Sequence, residues 1–382
     1  MFKKHVLSIK AHSDMTLYIL LILGALGISM GCGFVAIPVI LDYCKEKKLY
    51  DIPNSRKMHK TLIPRLGGVS FLPSMLIAFI LALLVMAYDR QSKLLSINLW
   101  SLYFMVGLLV IYFVGLIDDL IGLGANLKFA AQLIAATVLP LSNLYINNLY
   151  GLFGLHEIPF WAGAPLTVLA IVFICNAMNL IDGIDGLCAG LTEIALAGFM
   201  YAFYEERIYV YCILIAGLMG ALVPYLYYNL WGKESRNRKI FMGDSGSLTL
   251  GFILGFLFVK YSMNNPTVMY YAPERMPFAM TLLLTPTFDV VRVVLHRLRT
   301  HRPIFDADKN HIHHKFMRLG LSMNQTLVII LSLALSFIVI NRLAYTAAGF
   351  TFVFILDVLL YTALHLALNY LTARAIKEGR TR

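Results

Sequence analysis

Four polar side chains recur at every third position immediately after a strongly apolar run that ends at Cys175. The four are Asn176, Asn179, Asp182 and Asp185. Residues three apart are neighbours on a helix surface, although such a row drifts around the helix over several turns. Gly183 and Gly186 are expected to end the helix and to let a ligand approach the backbone. Because carboxylates and amides are costly at a membrane boundary, this cluster is predicted to hold a cation, a phosphate-bearing ligand or both. The alternative is an ordinary polar helix end with a glycine cap.

Two adjacent aspartates, Asp118 and Asp119, end another apolar run, and Lys128 follows nine residues later. Negative charges at the C-terminal end of a helix oppose the helix dipole, which favours cations there. Because this interaction with the dipole is unfavourable, we expect the two aspartates to have a function, either in binding Mg²⁺ or in accepting a proton. A solvated acidic turn is the alternative.

A lone carboxylate, Asp244, stands among glycines and serines directly before an apolar run, in a segment that begins with Phe241. At the N-terminus of a helix, such a segment can present carboxylate oxygens and backbone N–H groups together, which suits phosphate and metal ions. An N-cap for the following helix explains these residues equally well when they are considered alone.

Two further segments are basic. The first, residues 56–68, carries Lys60 among other cationic side chains and could wrap around phosphates. The second contains arginines followed by His311, His313 and His314. No cysteine or carboxylate pattern of a structural zinc site accompanies these histidines, so we interpret them as donors to phosphate or as proton handlers. Solvated positive loops are the alternative for both segments.

The composition is that of an all-α, polytopic membrane protein: 59% of residues are hydrophobic, the mean hydropathy is +0.74, and 14% are charged. Apolar runs near the ~20 residues needed to cross a bilayer recur along the chain, which we treat as one domain, residues 1–382. Eleven spans are predicted, at residues 17–41, 66–88, 99–117, 127–146, 163–181, 187–204, 208–228, 246–262, 277–297, 325–341 and 345–370. The five cysteines are interpreted as small core residues.

The distribution of charge predicts how these spans are oriented. The side that follows the odd-numbered spans holds 23 of the 32 lysine and arginine residues, which marks it as cytoplasmic. The net charge of +11 is therefore mostly a topology signal and requires no nucleic-acid partner. All five polar motifs fall on the same side, so the predicted active site is formed by cytoplasmic loops.

The segments on the opposite side carry little chemistry, and residues 143–161 are predicted to form a small hairpin. In the last span, Asp357 and His365 are isolated polar residues. We interpret both as packing or interhelical hydrogen bonds and assign neither a function.

Together, the five motifs resemble those of the polyprenyl-phosphate N-acetylhexosamine-1-phosphate transferases, in the same order, from about residue 40 to residue 320. The matching segments are Lys57 to Gly68, Asp118 and Asp119 with Lys128, residues 176–187, residues 241–248 and residues 311–314. The resemblance implies a multi-pass enzyme of the inner membrane that transfers a sugar-1-phosphate from a UDP-sugar to undecaprenyl phosphate, releases UMP and so initiates cell-surface glycan synthesis. The His-Ile-His-His form and the eleven spans are similar to the branch that uses UDP-N-acetylglucosamine and related UDP-HexNAc donors. A homodimer is implied by the resemblance alone.

The resemblance also implies a role for each matching residue. Those implied at a metal ion, Mg²⁺ or alternatively Mn²⁺, are Asp244 and Asn179. Those implied in binding the UDP-sugar are Asp182, Asp185, Lys60, Asn229 and Phe241. Those implied in catalysis at the lipid phosphate, the diphosphate or the sugar are Asp118, Asp119, Lys128, His313 and His314. His311 is the branch-specific histidine and is assigned to substrate binding.

Two mechanisms are open at this stage. The lipid phosphate could attack the donor directly, with Asp118 or Asp119 accepting its proton, or one of these aspartates could act first as a nucleophile.

Two other classes of protein also place carboxylates in membranes. A secondary transporter would do so near the midplane, whereas here the acidic residues fall at span ends and the two halves show no repeat. A CDP-alcohol phosphatidyltransferase would follow its Asp-Gly pair with an Ala-Arg pair, which does not follow Asp182 and Gly183.

Overall fold

The computed structural model describes residues 2–51, 62–88, 99–233, 238–266, 268–303 and 310–378. Most of these residues are helical, so the predicted all-α class is confirmed. The helices of the described residues are α1 (Phe2–Lys47), α2 (Phe71–Tyr88), α3 (Leu99–Ile121), α4 (Ala125–Leu141), α5 (Phe160–Ile181), α6 (Leu187–Glu205), α7 (Tyr209–Trp231), α8 (Asp244–Ser262), α9 (Arg275–Leu282), α10 (Leu284–Arg299), α11 (Ile312–Arg318) and α12 (Met323–Lys377). The strands form two antiparallel pairs, β1 (Tyr50–Asp51) with β2 (Ile63–Pro64) and β3 (Asn148–Leu152) with β4 (Leu155–Glu157).

The helices have the length and apolar composition of a multi-pass membrane protein. Within the described ranges, eight helices could each cross a bilayer, or nine crossings result if α9 and α10 together form one span. The apolar α4 is shorter, with 17 residues. Eleven spans are not confirmed, because that number requires α4 and both halves of α12 to cross separately.

Two parts of the predicted span pattern differ in the structure. The predicted span 277–297 is divided into α9 and α10, which are bent by 71° relative to each other. Pro286 explains the break, because in a continuous helix its ring would clash with the carbonyl of Leu282 and it has no N–H to donate. The predicted spans 325–341 and 345–370 correspond to the two helical parts of the 55-residue α12, which are divided at Gly349 (φ 76°, ψ −173°) and not at the expected loop.

Hydrogen bonds join the two halves of α12 across this break. Asn341 Nδ2 donates to Asp357 Oδ2 at 3.0 Å and to Thr281 Oγ1 of α9 at 2.9 Å. The predicted interhelical hydrogen bond of Asp357 is therefore confirmed. The predicted hairpin is present as β3 and β4, and the Phe153 N–H next to it donates to Thr351 Oγ1 of α12 at 2.9 Å.

Helix α8 forms the centre of the helix bundle, since each residue from Ser245 to Ser262 is buried. It packs mainly against α3 and α5. The contact with α3 is close: a Cβ at Gly115 would lie 2.7 Å from the carbonyl oxygen of Asp244. Because α3 and α5 both end where α8 begins, this packing gathers polar residues from three helix ends.

Candidate active site

The end of α3 and the start of α8 bring three carboxylates together. One oxygen from each of Asp118, Asp119 and Asp244 lies within 4.8 Å of the other two. Asp118 and Asp119 are in the last turn of α3, and Asp244 is the first residue of α8. We call these three residues the acidic cluster.

Lys128 of α4 brings a positive charge to the acidic cluster. Its Nζ lies 2.7 Å from Asp244 Oδ2 and 3.3 Å from Asp118 Oδ2. The other oxygen of Asp244 accepts a hydrogen bond from Asn179 Nδ2 at 3.1 Å, and the same nitrogen donates to Ser247 Oγ at 2.9 Å. The structure therefore brings four of the predicted site residues into direct contact.

Asp119 differs from Asp118 because both of its oxygens bind backbone. It is 3% exposed, its Oδ1 accepts from the Asp244 N–H at 2.8 Å, and its Oδ2 accepts from the Ser245 N–H at 2.9 Å. Carboxylates are favoured at helix N-termini, where backbone N–H groups lack intrahelical partners. Asp119 therefore fixes the start of α8 to the end of α3. This contact offsets the unfavourable interaction between the Asp119 carboxylate and the dipole of α3.

The loop before α2 runs beside the loop before α8 and closes one edge of the site. The Gly67 N–H donates to Phe241 O at 2.9 Å, and the Phe241 N–H donates to Pro64 O at 2.7 Å. Phe241 is thus held at the site by its backbone. Lys60, which was predicted to lie here, is outside the described residues.

The turn between α5 and α6, residues 182–186, carries two further carboxylates. Asp185 Oδ2 lies 2.7 Å from Lys239 Nζ, and Asp185 Oδ1 accepts from Asn229 Nδ2 at 3.3 Å. Asn229 is buried, and its Oδ1 accepts from the Gly186 N–H at 2.7 Å. Asn229 therefore positions the turn. Lys239 is a site residue that the predicted site did not include. The available signal was its place in the basic segment of the sequence from Lys233 to Lys239, directly before Phe241.

Asp182 lies in the same turn and is half-buried. Burial first, and then the negative charges of Asp244, Asp185 and Asp119, raise the pKa of Asp182 to about 8. A cation among these carboxylates would favour the ionised form and lower this pKa. Asn176, by contrast, points to α4, where its Nδ2 donates to Gln132 Oε1 at 2.6 Å, so the predicted drift of the polar row is observed.

The three predicted histidines lie at the start of α11 and make different contacts. His311 Nδ1 lies 2.8 Å from Asp289 Oδ2, which anchors the histidine segment to α10. His313 stacks on His311 with ring centroids 5.8 Å apart, and the His314 centroid lies 4.2 Å from that of His313. His313 also covers the turn, because a Cβ at Gly183 would lie 2.3 Å from His313 Nε2.

His313 is buried, and neither ring nitrogen has a hydrogen-bond partner among the described residues. Burial first, and then the neighbouring His314 and His311, lower the pKa of His313 to about 3. The imidazole is therefore neutral near pH 7, with one N–H and one lone pair to offer. Buried polar atoms in folded proteins normally have partners, so these nitrogens next to Gly183 indicate a ligand.

The acidic cluster has the chemistry of a site for a hard divalent cation. Asp118 and Asp244 each have one oxygen that accepts no N–H of a backbone or amide group among the described residues, whereas both Asp119 oxygens accept backbone N–H groups. The ammonium group of Lys128 contacts both available carboxylates, which shows that a positive charge fits between them. Carboxylate oxygens of this kind are typical ligands of Mg²⁺ and Mn²⁺.

A family model described as Glycosyl transferase family 4 matches residues 101–262. The matched residues contain the acidic cluster, Lys128, and the turn between α5 and α6.

Curated relatives cover more of the chain. It is 30% identical to the undecaprenyl-phosphate alpha-N-acetylglucosaminyl 1-phosphate transferase of Yersinia pestis over 286 residues, which are 74% of this chain and 73% of the relative. It is 30% identical to the protein of the same name from Escherichia coli (strain K12) over 290 residues, 75% of this chain and 74% of the relative. A probable undecaprenyl-phosphate N-acetylglucosaminyl 1-phosphate transferase of Bacillus subtilis (strain 168) is 29% identical over 302 residues, 77% of this chain and 76% of the relative. The chain therefore belongs to glycosyl transferase family 4, together with these undecaprenyl-phosphate N-acetylglucosaminyl 1-phosphate transferases.

Proposed function

We propose that this protein transfers N-acetylglucosamine-1-phosphate, or a related N-acetylhexosamine-1-phosphate, from a UDP-sugar to undecaprenyl phosphate. The products are the undecaprenyl-diphosphate sugar and UMP, and the reaction initiates cell-surface glycan synthesis. The observation that carries the proposal is the contact of Asp118, Asp244 and Lys128 beside a turn rich in carboxylates. The names of the relatives support the same reaction, whereas the transporter alternative has no support in the comparisons.

In the proposed reaction, an oxygen of the lipid phosphate attacks the phosphorus atom that carries the sugar. The bond between this phosphorus and the bridging oxygen breaks, and UMP leaves with that oxygen. Both reactants are anions, so fixed positive charge is needed to bring them together and to stabilise the leaving group. Lys128 supplies such a charge next to Asp118 and Asp244. Because one phosphoanhydride replaces another, the reaction is expected to be reversible with UMP.

Asp244, with Asn179 as a neighbouring ligand, is proposed to hold Mg²⁺ or alternatively Mn²⁺. When bound, such an ion would offset negative charge on the phosphate oxygens. Asp118 is proposed to accept the proton of the lipid phosphate, because Asp119 has both oxygens bound to backbone. Asp119 is then a positioning residue that holds the start of α8. A trapped covalent sugar-phosphate enzyme would overturn this direct route in favour of the two-step route.

The residues around the turn are proposed to bind the UDP-sugar. Asp182 and Asp185 would face the nucleoside or its phosphates, while Lys60, Asn229 and Phe241 would form the uridine end. His313 would donate its N–H to the diphosphate or the sugar, because it is neutral and its nitrogens are unpartnered among the described residues. His314 would assist at the same groups, and His311 would orient His313 through its contact with Asp289.

The proposed location is the inner membrane, with the active site facing the cytoplasm. UDP-sugars are cytoplasmic metabolites, and the basic segments lie on the side that carries the acidic cluster. The homodimer stays a prediction.

A transfer assay tests the proposed function. Purified protein in detergent receives undecaprenyl phosphate, Mg²⁺ and UDP-N-acetylglucosamine labelled in the sugar. Label is expected in the lipid phase with the wild type, and is expected to be lost with EDTA and in Asp244→Asn. Asp42→Asn, which changes an exposed carboxylate at the end of α1, is the matched control and is expected to remain active.

Transfer assays with other UDP-HexNAc donors distinguish an error in the predicted donor sugar from an error in the proposed reaction. Transfer from another UDP-HexNAc, but not from UDP-N-acetylglucosamine, would correct the sugar and keep the reaction. A folded protein that transfers no label from any UDP-HexNAc would overturn the proposed function.

A further inference from the structure

Arg65 lies in the loop before α2, is half-buried, and contacts the end of α3. Its Nε donates to the backbone carbonyl oxygen of Asp119 at 2.9 Å. This carbonyl belongs to the last turn of α3, where carbonyl groups have no partner within the helix. Among the described residues, the Arg65 side chain makes no other hydrogen bond or ion pair. Both terminal Nη groups of its guanidinium are therefore available to a ligand.

The loop fixes the backbone from which this side chain extends. Ile63 and Leu66 are buried on either side of the Pro64–Arg65 pair, and β2 is paired with β1. The Phe241 N–H donates to Pro64 O at 2.7 Å, which joins the loop to the segment before α8. Groups held in this way are oriented before a ligand binds, which makes their charge more effective in catalysis.

Arg65 differs from two other cationic side chains of the site in its charge balance. Lys128 is shared by two carboxylates of the acidic cluster, and Lys239 lies 2.7 Å from an oxygen of Asp185. Both of these charges are offset within the protein. Arg65 has no carboxylate partner in the described part of the chain, so its charge is available to an anion from outside. A guanidinium stays protonated at neutral pH and can bind phosphate through two parallel N–H···O bonds.

The position of Arg65 along the site indicates which phosphate it contacts. On one side, its loop is bonded to the backbone of Phe241, which is proposed at the uridine end, and Lys60 precedes it in the same segment of the sequence. On the other side, Arg65 contacts Asp119 at the acidic cluster, where the lipid phosphate is proposed to react. Between the uridine and the reacting phosphorus atom of a UDP-sugar lies the phosphate that leaves as part of UMP.

We propose that Arg65 binds this phosphate and stabilises UMP as the leaving group. As the lipid phosphate oxygen forms its bond to the phosphorus atom that carries the sugar, the bond from that phosphorus to the bridging oxygen breaks. The electron pair stays on the bridging oxygen, so the UMP phosphate gains one negative charge. The two Nη groups of Arg65 would donate to oxygens of this phosphate and keep their protons. This inference rests on the proposed function and adds a residue that the predicted site did not include.

A purely structural role is the alternative, in which Arg65 only caps the end of α3. Two variants separate these roles. In Arg65→Gln, the amide N–H can still donate to the Asp119 carbonyl, but the charge and the second pair of donors are lost. Arg65→Lys keeps the charge and loses the planar fork.

Equilibrium dialysis without lipid measures binding of labelled uridine and labelled UMP to the purified protein in detergent with Mg²⁺. Arg65→Gln is expected to weaken UMP binding about tenfold to hundredfold, as for loss of hydrogen bonds to a charged group, and to leave uridine binding unchanged. Arg65→Lys is expected to weaken UMP binding by about fivefold, and it replaces Arg65→Gln if that variant does not fold. Arg374→Gln, at an exposed arginine paired with Glu378 at the end of α12, is the matched control and is expected to bind UMP like the wild type.

Steady-state kinetics of the same variants test the role in the reaction. Arg65→Gln is expected to lower kcat/KM for the UDP-sugar ~10²-fold, with KM for undecaprenyl phosphate unchanged. A rise in KM for undecaprenyl phosphate alone would assign Arg65 to the acceptor and overturn the proposal.

The binding measurement also separates failure of this inference from failure of the proposed function. Unchanged UMP binding in a folded Arg65→Gln protein would overturn the role of Arg65 and leave the proposed function intact. Equal weakening of uridine and UMP would show that Arg65 acts only through the shape of the site, which also overturns the proposal. A folded wild-type protein that binds neither UMP nor a UDP-sugar would overturn both.

Discussion

Asp118 and Asp119 are adjacent in the chain but have different surroundings. Asp119 uses both oxygens to bind the start of α8, whereas Asp118 contacts Lys128 and the Leu123 N–H. The sequence indicated that two carboxylates at a helix end must have a use, and it left their roles open. Only the tertiary contact with α8 distinguishes Asp119, which positions that helix, from Asp118, which is available to substrate.

Substitution of these two residues is expected to have different effects. Asp119→Asn places an NH₂ group opposite a backbone N–H and should lower the free energy of unfolding by about 1–3 kcal/mol. Asp118→Asn should leave stability close to that of the wild type and lower kcat by ~10²–10⁴, as expected for loss of a proton acceptor. Thermal unfolding in detergent and steady-state kinetics of both variants check this. Equal destabilisation of the two variants would contradict the division of roles.

The raised pKa of Asp182 predicts a pH dependence of stability. In the folded protein this pKa is about 8, whereas in an unfolded chain it is ~3.9. Between these values the unfolded state has released the proton and the folded state keeps it, so the free energy of unfolding falls as pH rises. In EDTA, the wild-type unfolding temperature is expected to fall between about pH 5 and pH 8 more steeply than that of Asp182→Asn. Parallel curves for the two proteins would contradict the prediction, and Asp42→Asn should follow the wild type.

At the scale of residues, the sequence predicted which side chains could take part in chemistry, but it did not predict which residues they contact. The row from Asn176 to Asp185 and the pair Asp118 and Asp119 were found from spacing alone, because polar side chains are conspicuous in an apolar chain. Lys239 was not found, because its partner Asp185 lies more than fifty residues earlier in the chain. His365, which was predicted to serve in packing or in an interhelical hydrogen bond, packs its ring against Tyr361.

The short segment before α8 determines the geometry of the acidic cluster. Gly243 has φ 75°, and a Cβ there would lie 2.1 Å from the carbonyl oxygen of Arg65 and 2.5 Å from Asp119 Oδ2. The glycine thus satisfies two demands at once: a left-handed backbone and close approach to the carboxylate that fixes α8.

Gly243→Ala is expected to destabilise the protein and to abolish transfer, because the added methyl group must displace Asp119 or the chain at Arg65. Gly154→Ala is the matched control, since Gly154 has a similar φ of 79° but no atom within 4 Å of an added Cβ. In the control, the free energy of unfolding should fall by only about 1 kcal/mol, the cost of a side chain in the left-handed backbone conformation. The control should remain active. Activity measurements and thermal unfolding compare the two. Equal losses would show that φ alone explains the glycine.

Helix ends near the active site were predicted well, whereas breaks inside apolar runs were not. The end of α5 was predicted because polar residues and glycines interrupt the run after Cys175. The bend between α9 and α10 was not predicted, and the break in α12 was predicted at residues 342–344 instead of at Gly349, because hydropathy measures length and composition and does not register local backbone geometry.

For the whole molecule, the asymmetry of charge predicted that five distant segments share one membrane face. In the structure, four of them meet around the start of α8, because α8 is buried along its length and α3 and α5 end beside it. The fifth, residues 56–68, is described from residue 62 onward, where it pairs with the loop before α8. Helix neighbours could not be predicted, since one sequence contains no information about which apolar faces pack together.

The same asymmetry makes a prediction about orientation that labelling can check. The loop between α10 and α11 is basic and is expected in the cytoplasm, whereas the β3–β4 hairpin is expected outside. His301 and Leu155 are exposed on these two segments. In intact spheroplasts, a membrane-impermeant maleimide is expected to label Leu155→Cys, and to label His301→Cys only after permeabilisation. Cys32 is half-buried and the other four native cysteines are buried, so a Cys32→Ser background keeps the signal specific. The opposite labelling pattern would place the acidic cluster outside the cell, away from UDP-sugars, and would contradict both the topology and the proposed function.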